Sequence, residues 1–279
     1  MPETARTPPP LDLDAYFGRI GWDGERRPDA ETLRGVHLAH LRAIAFENLD
    51  ALGGTAPSLD LANLMAKLVH GRRRGGYCYE HNTLFAAALE ALGFRLTRLA
   101  ARVVVGAERF EDRPRTHMAL LVEAPGDPRP YLADVGFGAI GSLLEPVPLL
   151  ADTEFHDAGR RHRLVHAPHG GPLEMWVLQA HGTDGWEDQY AFTLEPFEPS
   201  DFEMINWHIA TNPRSPFSRR PYAQRLSPAG HLLLDGDRVT ETRDDGTVTE
   251  RKLADEADVR RVLSREMGLD VPEGLTLPT

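Results

Sequence analysis

Arg73-Arg74-Gly75-Gly76-Tyr77-Cys78-Tyr79-Glu80-His81-Asn82 is the stretch around which the rest of the chain is organised. It holds the only cysteine in 279 residues, placed after a Gly-Gly turn and ahead of a strongly helical run, 83–92. That run stops at Gly93, where a helix C-cap is expected. A thiol at such a helix start sits in the positive end of the dipole, near backbone N–H groups that the helix leaves unpaired. Both suit a nucleophilic thiolate. The two glycines let another backbone or a substrate come close. A lone cysteine is also often just a small buried hydrophobe; the Arg-Gly-Gly approach and the helix start are what set Cys78 apart.

Working outward, residues 11–95 read as helical. Leu13, Tyr16, Phe17 and Ile20 recur at helix spacing, and Asp29 caps a second helix with an apolar stripe of Leu33, Val36, Leu38, Leu41 and Ile44. His37 and His40 lie three apart on it; without an HExxH or CxxC pattern they read as a solvated or partly packed face, not as metal ligands. Ser58 or Asp60 can start a third helix, with Leu61, Leu64, Met65 and Leu68 inward. After Gly93 the pattern turns to period two, and strands are expected at 96–105, 117–122, 131–135, 161–166, 174–180 and 188–194. A helix at 198–211 is broken by Thr211-Asn212-Pro213-Arg214-Ser215-Pro216-Phe217. Strands at 231–234, 238–241 and 247–252 and a closing helix at 254–267 follow. Helices followed by a block of strands make an α+β order, with no true linker between lobes.

The composition excludes several classes. With 41% hydrophobic and 26% charged residues the chain has the make-up of an ordinary globular protein. A net charge of −11, from 31 basic and 42 acidic residues, argues against a general nucleic-acid binder. One cysteine allows no internal disulfide and suits a reducing compartment. No apolar run approaches the roughly 18 residues of a membrane span, and the polar, proline-rich start is unlike a signal peptide. The expectation is a cytoplasmic protein.

A cysteine nucleophile needs a base, and the base needs an orienter. His117 heads the apolar run Met118-Ala119-Leu120-Leu121-Val122, so its ring is expected at a strand end, on a rim. Asp134 follows Tyr131-Leu132-Ala133; a carboxylate there is costly unless paired, and an imidazole would pair it. A surface histidine and a turn-forming aspartate are the competing readings.

At this point the residues resemble the arylamine N-acetyltransferases. Arg74-Gly75-Gly76-Tyr77-Cys78-Tyr79-Glu80-His81-Asn82 fits that family's RGGxCxExN at every fixed position, and Phe46-Glu47-Asn48-Leu49 resembles its PFENL, with Ala45 in place of proline. Thr116-His117-Met118 and Ala133-Asp134-Val135-Gly136-Phe137-Gly138 are similar to its histidine and aspartate segments. The resemblance implies three parts: a helical bundle (1–95) carrying the nucleophile, a central antiparallel β-barrel (96–197) carrying His and Asp, and an α/β lid (198–279). It implies a papain-like triad of Cys78, His117 and Asp134. Acetyl-CoA would be the cosubstrate, with no metal, and a small arylamine or hydrazine the acceptor. Phe46 and Phe137 would line an apolar acceptor slot. Arg115, Thr116, Thr211, Arg214 and Phe217 would meet CoA, although Pro114 and Pro216 stand where hydroxyl residues or glycine are often found. Arg74 would be structural, binding Glu47 and Asp50 to hold the cysteine turn, with Arg72 and Arg73 solvated. An amide synthase closing a macrolactam from a carrier-bound thioester, and a thiol hydrolase or transglutaminase-like enzyme, are the alternatives.

Overall fold

Side-chain caps decide where the first helices begin. Asp12 accepts the N–H of Ala15 at 2.9 Å and opens α1 (Leu13–Ile20), and Gly21, at φ +71°, closes it. Asp29 does the same for Thr32, at 2.9 Å, and opens α2 (Ala30–Ala43). The structure, a computed structural model, describes residues 11–278 except 72, 158, 183, 228, 229, 244 and 245; Arg72 therefore lies outside the described residues.

After α2 come a two-residue strand β1 (Phe46–Glu47), a helical turn α3 (Leu49–Leu52), and α4 (Leu61–Leu64), which runs on as a π-helical turn, Met65–His70. The central helix α5 (Cys78–Ala91) begins at the cysteine itself. It ends in a Schellman arrangement: Gly93, at φ +94°, donates to Glu90 O and Phe94 donates to Leu89 O, both at 3.0 Å. Tyr16, Phe17, Leu33, Val36, Leu68, Phe85 and Leu89 form the core around it.

The period-two segments build an eight-stranded antiparallel sheet that curls into a nearly closed barrel, as expected. Its strands are β2 (Arg95–Val103), β3 (Arg115–Glu123), β4 (Tyr131–Ala133), β5 (Val147–Pro148), β6 (Thr153–Asp157), β7 (Arg160–Ala167), β8 (Met175–Gly182) and β9 (Gly185–Phe192), in the order β5-β4-β3-β2-β9-β8-β7-β6. Then α6 (Pro199–Thr211) leads into β10 (Tyr222–Ser227), β11 (Gly230–Asp235), β12 (Arg238–Arg243) and β13 (Val248–Lys252), closed by α7 (Glu256–Arg261). No helix of the described residues is long and apolar enough to cross a membrane.

Two expectations fail here. Residues 11–95 are not all helical: β1 is the edge strand of the C-terminal sheet, order β1-β10-β11-β12-β13, with Phe46 opposite Gln224 and Glu47 opposite Ala223. The first and third parts are therefore joined by backbone hydrogen bonds. His37 and His40 are fully buried, not solvated. His81 Nε2 donates to Ala45 O at 3.2 Å, His40 Nε2 to His81 Nδ1 at 2.9 Å, and Tyr16 OH to His40 Nδ1 at 2.8 Å, so His40 and His81 are both neutral. Burial holds His40 well below the usual histidine range and His81 at about 4.

Close backbone approach explains the first motif glycine. A Cβ on Gly75 would lie 1.8 Å from Ala45 O, a backbone atom that cannot move aside, whereas a Cβ on Gly18, inside α1, would meet nothing within 4 Å. Gly75→Ala should therefore lower stability by more than about 2 kcal/mol. Gly18→Ala should raise it by about 0.5–1 kcal/mol through helix propensity. Urea melts of the two variants check both signs.

Candidate active site

Cys78 is the first residue of α5 and is 4% exposed. Gly136 lies directly against it: a Cβ there would be 2.7 Å from Cys78 Cα and 2.9 Å from Cys78 O. The loop after β4 can press on the helix start only because that residue is glycine.

His117 is within hydrogen-bonding reach of Cys78. Contrary to the rim position expected, it is the third residue of β3 and is buried. What aims it is a β-bulge: Ala101 pairs with His117 and Arg102 with Arg115, so Thr116 is the extra residue. The Thr116 carbonyl is used by the Tyr79 hydroxyl, which donates to it.

Asp134, fully buried, follows β4 and faces His117. Its Oδ2 accepts from His117 Nε2 at 2.6 Å, leaving Nδ1 for the cysteine side. Its Oδ1 accepts from Asn82 Nδ2 and from the Gly136 N–H, each at 2.9 Å. Its own N–H donates to His37 Nε2 at 3.1 Å, and His37 Nδ1 donates to Leu144 O at 3.0 Å. Burial alone would lower His117 and raise Asp134; their mutual charge and hydrogen bond outweigh it. His117 is lifted to about 10 and Asp134 is held below the usual carboxylate range, so the two form an ion pair. Tyr190 lies with its ring 5.1 Å from that of His117 and buries its hydroxyl near Asp134, outside hydrogen-bond geometry.

Sequence reasoning placed no role on Asn82, His37 or Tyr190. Asn82 was legible, since it stands one helical turn after Cys78 on the same face. It donates also to Met118 O at 2.7 Å and accepts from Val135 N at 3.1 Å, tying helix to barrel. His37 and Tyr190 reach the site from distant segments, and no local pattern announces them.

The remaining candidates divide. Phe137 packs edge-on to His117, with centroids 5.2 Å apart, and to Tyr190 at 5.0 Å. Phe46 packs against Phe217 and Tyr222, each at 5.9 Å, under Gly138. Phe217 is thus brought to the aromatic cluster. Arg115 is engaged within the protein: it bonds Glu195 at 2.7 Å and Thr193 Oγ1 at 3.2 Å and lies over Phe197. Thr211 donates its hydroxyl to Trp207 O at 2.7 Å, and Arg214 is exposed on the following loop. Arg74 Nε meets Glu47 at 2.8 Å and its NH2 meets Asp50 at 2.6 Å. Arg73 is half exposed and pairs with Asp270. Among the described residues no group of three or more His, Cys, Asp or Glu could hold a metal ion.

Residues 29–276 match a family model described as N-acetyltransferase. The chain is 44% identical over 212 residues to the arylamine N-acetyltransferase of Mycolicibacterium smegmatis, covering 74% of each chain. It is 36% identical over 262 residues to that of Escherichia coli, covering 94% of this chain and 90% of the other. Among solved structures, the Nocardia farcinica arylamine N-acetyltransferase superposes with a TM-score of 0.87 at 44% identity, covering 94% of this chain and 90% of that one. The Mycobacterium marinum enzyme in complex with CoA superposes with a TM-score of 0.86 at 36% identity, covering 94% and 95%.

The buried ion pair has a signed pH dependence. His117, raised above its unfolded value of about 6.5, adds stability that is full below that pH and is lost as pH climbs through about 10. Asp134, lowered, adds stability that is lost as pH falls below about 3.9. Asp134→Asn should therefore cost most, about 3–5 kcal/mol, between these limits. The deficit should shrink toward pH 10. Urea unfolding of both proteins at about pH 5.5 and 9.5 checks it; a deficit independent of pH would mean that the pair is not ionic.

Proposed function

The chain belongs to the arylamine N-acetyltransferase family, and on that premise we propose that it moves the acetyl group of acetyl-CoA to arylamines, arylhydrazines or related acceptors by way of an acetyl-cysteine at Cys78. The observation that carries the residue assignment is the meeting of three buried side chains: a cysteine at a helix start, a histidine within its reach, and an aspartate 2.6 Å from that histidine. The relatives named above support the reaction class; the amide-synthase and thiol-hydrolase alternatives draw no support from them.

The chemistry follows from the charges. His117, kept protonated across the neutral range by Asp134, is the cationic partner of a Cys78 thiolate. Sγ attacks the thioester carbonyl, and the oxyanion is met by N–H groups of the first turn of α5, which helix geometry leaves free. The carbon–sulfur bond to CoA breaks, and CoA leaves with the proton from His117. The acceptor amine then attacks the acetyl-cysteine, His117 takes the amine proton, and Cys78 departs as thiolate. Asp134 holds the imidazole so that Nδ1 faces sulfur throughout. Phe46, Phe137 and Phe217 give the acceptor ring an apolar wall, edge-on to His117 at Phe137. Arg214, exposed, is free to meet CoA phosphates; Arg115 would first have to leave Glu195.

Incubation with acetyl-CoA and mass spectrometry of the Cys78 peptide should find one added acetyl group, discharged by an arylamine. Cys78→Ala should carry none and transfer nothing. Double-reciprocal plots at several amine concentrations should be parallel, since both substrates use one thiol in turn. Transfer by the alanine variant, or reproducibly intersecting lines, would overturn the mechanism. A folded Asp134→Asn variant should lose about 10²–10⁴-fold in kcat/KM.

A further inference from the structure

Five charged side chains from five different segments meet beneath the cysteine turn. Lys67, on the π-helical turn Met65–His70, places Nζ 2.6 Å from Glu80 Oε1, 2.6 Å from Asp50 Oδ2 and 3.9 Å from Glu47 Oε1. Arg74 supplies the second cation, to Glu47 and Asp50. Glu80 is almost fully buried; its other oxygen, Oε2, accepts the N–H of Tyr77, the residue before Cys78, at 3.1 Å. Gly76 lies on that carboxylate so closely that a Cβ would be 2.6 Å from Oε2. Lys67 is one of only two lysines in the chain, the other being Lys252.

We propose that Lys67 is a positioning residue for the acetyl transfer: its ammonium keeps Glu80 an acceptor, and Glu80, through the Tyr77 N–H, fixes the first turn of α5 on which Cys78 stands. This rests on the function proposed above. Both oxygens of Glu80 face pure donors, an ammonium on one side and a backbone N–H on the other. A protonated carboxyl would have to aim its own O–H at one of them, and the turn would loosen. Glu80 is poised for that change. Three carboxylates (Glu47, Asp50, Glu80) share two cations. Burial raises Glu80, Lys67 draws it back and Glu47 and Asp50 add to the rise, leaving it at about 7. Tyr77 and the neutral His81 are the other titratable groups beside it. Cys78 reactivity should therefore weaken as pH falls through neutrality, in step with Glu80.

Alkylation of Cys78, the only thiol, by iodoacetamide reads this without acetyl-CoA. Rates are measured from about pH 5.5 to 9 on the full chain and on Lys67→Arg, Lys67→Met and Glu80→Gln, with melting temperatures alongside. Wild type should have a step near pH 7 that Glu80→Gln abolishes. Lys67→Arg should keep it, and Lys67→Met should move it to about pH 8 or above, because the lost cation no longer draws Glu80 down. A wild-type profile with no such step, or a Lys67→Met step unmoved while its melting temperature falls, would make Lys67 merely structural. If Lys67→Met does not fold, wild type against Glu80→Gln decides: a step that survives Glu80→Gln overturns the proposal. An intact step in a chain that transfers no acetyl group would overturn the functional reading alone.

Discussion

A carboxylate sealed from water has to be satisfied entirely by protein, and Asp134 imposes that demand at the junction of helix, barrel and loop. Each of its hydrogen bonds comes from a different direction: His117 from β3, Asn82 from α5, the Gly136 N–H from the loop that presses on Cys78. Removing an ion of that kind from water costs several kcal/mol, and only a full set of partners offsets it. The carboxylate therefore acts as a gauge of assembly. Helix α5 has to sit on the barrel in one register for Asn82 to reach, and the bulge at Thr116 has to turn His117 inward. The same arrangement makes His117 cationic at neutral pH, so the group that holds the lobes together also sets the charge beside sulfur.

The turn that carries Cys78 is held by a second buried electrostatic arrangement, built on the opposite principle. Asp134 has one cation and neutral donors; the cluster of Glu47, Asp50, Glu80, Lys67 and Arg74 has an excess of negative charge. A site with one carboxylate too many holds a proton that is easily exchanged, which is the physical reason a titration falls near neutrality there. Two glycines make this geometry possible, Gly75 under Ala45 O and Gly76 under the Glu80 carboxylate. The motif glycines thus serve the packing of the turn at least as much as access to the thiol.

Much of this was legible in the chain. The helix start at Cys78, the C-cap at Gly93, the order of helices and strands and the need of Asp134 for an imidazole are all local, and local signals survive into the fold. That Arg74 needs an acid followed from the rule for a buried guanidinium, and the family resemblance pointed to Glu47 and Asp50, which it meets. What stayed hidden depends on contacts across long separations. A two-residue strand has no periodicity to detect, so β1 could not be told from a helical linker. Burial of His37 and His40 depends on Leu144, Asp134 and His81, far along the chain. Lys67 lies inward among Asp50 and Glu80, carboxylates 17 and 13 positions away, and a lone lysine on an apolar stripe does not announce such partners. Arg115 was read as free for phosphate because Glu195 is eighty positions away.

The pairing of β1 with β10 changes what the third part of the chain can be. Glu47 N–H donates to Gly76 O at 2.8 Å, so β1 is bonded to the cysteine turn on one edge and to β10 on the other. From β10, Gln224 Nε2 reaches Phe137 O at 2.9 Å and the Tyr222 hydroxyl reaches Gly138 O. Asn48 completes the frame, donating to the carbonyls of Phe217 and Arg220, each at 2.8 Å, and accepting from Tyr222 N. The loop beside Asp134 is therefore fixed by the C-terminal sheet, and that sheet is continuous through β1 with the turn beneath Cys78. Displacing a segment so bonded would break backbone hydrogen bonds on both sides of Cys78. The backbone around sulfur, imidazole and carboxylate is thus one continuous hydrogen-bonded frame, in which β1 links the cysteine turn to the sheet that holds the Phe137–Gly138 loop.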